Sequence, residues 1–93
     1  MTLLQIQNRN YQATVRRGKI TPATTEQDFI NKIKEETAEL EDEVWWPFND
    51  NPTYQEAELA DIIIVCLNYA KHFNIDIKTA LEQKTIYNEN RND

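Results

Sequence analysis

The stretch Glu58-Leu59-Ala60-Asp61-Ile62-Ile63-Ile64-Val65-Cys66-Leu67 limits what this chain can fold into more than any other. An uninterrupted apolar run follows directly on an acid. The run is far short of the roughly 20 residues needed to span a bilayer, so its burial must come from protein. Its β-branched residues would suit a strand, but no second candidate strand exists to pair with it, and polar residues resume smoothly on both sides. The run therefore reads as helix. With one glycine and three prolines in 93 residues, breakers are scarce, which favours long helices over many tight turns. Apolar residues on every side predict that this helix is buried all round, Cys66 included.

Three further helices follow from periodicity and end signals. The first runs from about Thr2 to Arg17, with Leu4, Tyr11 and Val15 on one face and Asn8 between them. Gly18 after Arg16-Arg17 is a C-terminal glycine stop. The second runs from about Glu26 to Val44. Phe29, Ile30, Ile33, Thr37, Leu40 and Val44 form its apolar stripe, and Thr24-x-x-Gln27 resembles a capping box at its start. It ends before Pro47, because the residue preceding a proline disfavours the helical region. The apolar run occupies the third helix, about Tyr54 to Phe73. Asp76 is a good N-cap for the fourth, about Ile77 to Arg91. The expected fold is all-α, a four-helix bundle-like single domain over residues 1–93. So short a chain buries a limited fraction of its surface, and the third helix needs cover. A homo-oligomer is expected, dimer first and tetramer second.

Composition narrows the function classes. The net charge of −6 argues against a nucleic-acid backbone as partner. Its distribution is uneven: Glu26 to Asp61 holds twelve acids and two bases, and the remainder eight bases and four acids. A lone cysteine excludes a disulfide scaffold or thiolate metal cluster. The N-terminus lacks the features of a signal peptide, no stretch suits a membrane, and the default expectation is a soluble, cytoplasmic protein.

Carboxylates carry the chemistry. Residues three and four apart on a helix are neighbours, so Glu35, Glu36 and Glu39 project side by side on the second helix. Glu36 falls at the edge of the apolar stripe and points partly inward. Glu58 and Asp61, again three apart, head the most apolar helix. Ionised carboxylates against apolar surroundings are costly and repel one another, so something must neutralise them. Two helices each bearing an acid pair can pack antiparallel and converge four carboxylates. Hard oxygen ligands without His or Cys suit Mg²⁺, with Mn²⁺ as a substitute. Glu41, Asp42 and Glu43 read as a solvated face.

On the fourth helix Ile77, Leu81, Lys84, Asn88 and Arg91 share one face. Its apolar first half is expected to enter the core. Its cationic second half suits a triphosphate, lysine as a point charge and arginine as a fork.

Together these residues resemble the MazG-like nucleoside triphosphate pyrophosphohydrolases of the all-α NTP pyrophosphatase superfamily. The family hallmark, E-x-x-E followed by E-x-x-D, reads here as Glu36-Thr37-Ala38-Glu39 and Glu58-Leu59-Ala60-Asp61. Glu35 and Leu40 extend the first motif to E-E-x-x-E-L. The Asn74-Ile75-Asp76-Ile77 turn and the tail Lys84-x-x-x-Asn88-x-x-Arg91 are also similar. The resemblance covers about Phe29 to Arg91. It implies Mg²⁺ held by Glu36, Glu39, Glu58 and Asp61, with Glu35 helping a second metal or the attacking water. It implies phosphates held by Lys84, Asn88 and Arg91, and a site often completed across an oligomer interface. Asn8 and Trp46 are the candidates for contacting the base. The chain departs from the family at Lys19, where many relatives have tryptophan, and in the loop from Trp45 to Asn51. Both departures bear on base preference and not on the chemistry.

The implied reaction is hydrolysis of an NTP or dNTP to the monophosphate and pyrophosphate, in nucleotide-pool housekeeping. Three alternatives belong beside it: a phosphoribosyl-ATP pyrophosphohydrolase with the same metal motif, a non-catalytic acidic helical module binding a partner protein through Trp45 and Trp46, and a metal or nucleotide sensor without turnover. His72 reads as a helix-end residue favouring the dipole.

Overall fold

The computed structural model describes residues 1–45 and 52–92. Among these residues the chain is all-helical, with four helices and no strand: α1 (Leu3–Arg16), α2 (Glu26–Trp45), α3 (Pro52–His72) and α4 (Ile77–Asn90). Trp46 lies outside the described residues. No described helix is long and apolar enough to cross a membrane.

Local chemistry sets the helix ends. Thr2 caps α1 in a reciprocal box with Gln5. At the other end Gly18 adopts φ +72°. Its N–H reaches Val15 O, and the Lys19 N–H reaches Thr14 O, a Schellman closure that satisfies the last carbonyls. Asn74 does the same after α3 at φ 56°, with Ile75 N–H on Ala70 O at 2.8 Å. The box at the start of α2 lies one residue later than the sequence suggests. Thr25 and Asp28, not Thr24 and Gln27, exchange side-chain and backbone bonds at 3.2 and 2.8 Å. Aspartate is short enough to reach back to the cap N–H, and the Thr24 carbonyl is engaged elsewhere, by His72.

α2 and α3 form an antiparallel pair, and α1 lies against α3. Phe29, early in α2, packs on Tyr69 and Phe73, late in α3, at ring-centroid distances of 5.3 and 6.0 Å. The core comprises Ile20, Phe29 and Val65, with Tyr11, Ile33, Tyr69 and Phe73 against it. His72 knits three segments together. Its Nδ1 meets the Tyr11 hydroxyl at 2.9 Å and its Nε2 meets Thr24 O at 3.0 Å, so at the end of α3 it is a structural tie.

Three burial expectations are overturned. The inward face of α1 is not Leu4, Asn8 and Val15, which are exposed. It runs through Gln7, Tyr11 and Thr14, where the buried Gln7 amide donates to Leu67 O at 2.8 Å. α3 is not buried all round: Leu59, Ile63 (56% exposed) and Cys66 face out, since α1 and α2 cover only part of its circumference. α4 does not carry its apolar half into the core. Leu81 is 49% exposed and no residue of α4 is buried, so the helix leaves its apolar half uncovered although part of the α3 surface is also open.

Candidate metal and nucleotide site

The antiparallel α2–α3 pair brings the two acidic motifs together. The row of α2 that faces inward is Phe29, Ile33, Glu36 and Leu40. A glutamate therefore occupies a position that would otherwise take an apolar side chain, and it is only 6% exposed. Thr37 and Val44, expected on that stripe, are exposed.

Carboxylate oxygens of Glu36, Glu58 and Asp61 lie within 4.8 Å of one another, and so do those of Glu35, Glu36 and Glu39. Glu36 belongs to both groups and links them. Asp61 is exposed and Glu58 half-buried. Lys32 offsets part of the charge, with Nζ 3.1 Å from Glu36 Oε1 and 3.3 Å from Glu35 Oε1. The Glu36 contact holds the Lys32 pKa above its ordinary value. Glu36 Oε2 and Glu58 Oε2 are buried with no hydrogen-bond donor among the described residues. A buried carboxylate oxygen without a donor is costly. Burial, followed by the nearby Glu36 and Glu39 carboxylates, lifts the Glu58 pKa to about 7. Glu36 raises that of Glu39 in the same way. An all-oxygen set with two donorless buried oxygens fits a hard divalent cation.

Beside the carboxylates opens a cleft of about 540 Å³. Glu35, Glu36 and Asp61 form one side, Ile20, Phe29, Ile64 and Val65 give it apolar walls, and Arg17, Lys19 and Lys32 contribute cations. Thr14, Thr24, Asp28 and Asn68 complete the lining. Of the residues expected from sequence, Glu35, Glu36, Glu39, Glu58 and Asp61 are brought together. Lys84, Asn88 and Arg91 do not line the cleft. They lie exposed on or just after α4, where Lys84 Nζ sits 4.4 Å from the Tyr87 ring centroid. Asn8 is exposed and away from the cleft. Arg17, Lys32 and Asn68 are among the lining residues that sequence reasoning missed, and Lys19 entered it only as a departure bearing on base preference. The only hint was the basic cluster Arg16-Arg17-Gly18-Lys19 at the first helix stop.

Compared with known protein families, curated proteins and solved structures, the chain matches none.

Proposed function

We propose that the chain is a Mg²⁺-dependent, MazG-like nucleoside triphosphate pyrophosphohydrolase, releasing nucleoside monophosphate and pyrophosphate. One observation carries this reading. Glu36, Glu58 and Asp61 meet from two helices, and an oxygen of Glu36 and one of Glu58 are buried without a donor. Lys32 reaches Oε1 of Glu36 and leaves Oε2 unmet.

Glu36, Glu39, Glu58 and Asp61 would hold Mg²⁺, or Mn²⁺ in its place. When bound, the ion would polarise the phosphoryl oxygens, lower the pKa of the attacking water and neutralise the leaving group. The chain's own groups do the rest. Glu35 is exposed beside the cluster and would accept the proton of the water that attacks the α-phosphorus. Arg17, Lys19 and Lys32 line the cleft and would donate to phosphate oxygens there, charge-assisted bonds from such groups being the strong ones.

Lys84, Asn88 and Arg91 would reach phosphates through a second copy of the chain. Leu59 and Ile63 on α3 and Leu81, Ile86 and Tyr87 on α4 are exposed apolar side chains, which a homodimer or homotetramer would cover. Removal of surplus or non-standard nucleotides in the cytoplasm is the role this chemistry suits.

The test is a screen of the common NTPs and dNTPs with Mg²⁺, products separated by chromatography. The monophosphate with pyrophosphate, abolished by chelator, is expected. No turnover of any of them, or a diphosphate product, would overturn the proposal.

A further inference from the structure

Asn68 presents a buried acceptor with nothing to accept. The residue is 4% exposed and lines the cleft beside the carboxylates, yet its Oδ1 has no hydrogen-bond partner among the described residues. Its amide orientation is fixed by its neighbour. The Thr14 hydroxyl donates its one proton to Asn10 O at 2.7 Å, so Thr14 Oγ1 can only accept. Asn68 Nδ2 donates to it at 3.4 Å, as does Arg17 Nη2 at the same distance. Turning the amide over would set two acceptors against each other. Oδ1 is therefore the amide atom without a donor, on a residue that lines the cleft.

Asn68 lies seven residues after Asp61 on α3. Seven residues are close to two full turns, so both side chains share a face, about 10 Å apart along the axis. That separation resembles the reach of a nucleoside from its 5′ oxygen to the far edge of its base. Ile20, Phe29, Ile64 and Val65 supply apolar surface between the two ends, suited to a flat ring.

Resting on the functional reading above, we propose that this cleft holds the nucleoside of the substrate and that Asn68 Oδ1 accepts a hydrogen bond from a base N–H, making Asn68 a specificity-determining residue. A base presenting only carbonyl oxygen or a methylated nitrogen there leaves Oδ1 unpaired, and a site built around a hydrogen bond discriminates strongly against such analogues.

The decisive experiment uses the unaltered protein with Mg²⁺ and paired nucleotides that differ in one donor: ATP against purine riboside triphosphate, and UTP against its N3-methyl analogue. The readout is kcat/KM, or Kd for a nucleotide bound without turnover. For the better nucleotide of the two pairs, deleting the donor is expected to cost about 10- to 100-fold. Asn68→Ala, with its fold checked by thermal melt, should impose the same loss on the parent and no further loss on the analogue. If Asn68→Ala does not fold, the analogue pairs alone decide. Nucleotides handled alike with and without the donor overturn the inference and leave the pyrophosphohydrolase reading standing. Neither turnover nor binding of any nucleotide overturns both.

Discussion

Glu36→Gln separates metal binding from folding. Glu36 is the one carboxylate common to both oxygen clusters, so its charge matters most to a bound cation. With Mg²⁺ about a hundredfold above its Kd, binding to the native state adds about 2.7 kcal/mol. In a domain of this size each kcal/mol moves Tm by about 4–8 °C, so the unaltered protein should melt about 10–20 °C higher with Mg²⁺ than with chelator. Glutamine keeps the volume and loses the charge. If affinity falls about a hundredfold, the site is half filled at that concentration. The added stability then drops to about 0.4 kcal/mol, or about 2–3 °C. Without metal the variant should melt no lower than the unaltered protein. Lys32 remains well solvated when its partner goes, so losing the pair costs little. The repulsion that Glu36 exerts on Glu39 and Glu58 is removed. Scanning calorimetry in chelator and in Mg²⁺ measures both terms. A variant that keeps the full Mg²⁺ shift, or one that melts far below the unaltered protein in chelator, would refute the reasoning.

Asp61→Asn should lower NTP turnover by about two orders of magnitude or more, each tenfold being about 1.4 kcal/mol of barrier; turnover at the unaltered rate would remove Asp61 from the site. The raised Glu58 pKa gives the metal-free protein a defined pH response. The native state holds a proton that the unfolded chain releases near 4.5, so this contribution to stability is complete below pH 4.5 and is lost as pH rises through about 7. Mg²⁺ needs the deprotonated carboxylate, so its Tm shift should be larger at pH 8 than at pH 6, and the reverse order would contradict the cluster's assignment. His72→Ala should cost about 1–3 kcal/mol of stability through loss of the Tyr11 and Thr24 contacts, and so lower Tm, while leaving the Mg²⁺ shift intact; a lost shift would place His72 in the site. Sedimentation at micromolar concentration should show a dimer or tetramer, and a monomer would contradict the proposed role of the exposed α3 and α4 faces.

The sequence makes helix limits readable because they depend on neighbours: Gly18 after two arginines, Asp76 before α4. The carboxylate convergence is readable for a similar reason. Spacing of three places each acid pair on one helix face, and a short connection makes the two helices antiparallel. Burial is harder, because it depends on partners distant in sequence. Gln7 looks like a surface residue until Leu67 O is found opposite it, sixty residues away. α4 has apolar residues at helical spacing, yet within the protomer nothing receives them. The cleft draws Thr14, Lys32 and Asn68 from three different helices. No local pattern marks Asn68, a polar residue near the end of an apolar helix, as an acceptor without a donor.

Metal-assisted attack of water at the α-phosphorus, with Glu36, Glu58 and Asp61 holding the ion, leaves an isotopic signature. It is read by hydrolysis of a turned-over NTP with Mg²⁺ in ¹⁸O-labelled water, followed by mass spectrometry of the products. One ¹⁸O is expected in the nucleoside monophosphate and none in the pyrophosphate. Label in the pyrophosphate would place the attack on the β-phosphorus, and release of labelled orthophosphate with a diphosphate would contradict the claim altogether.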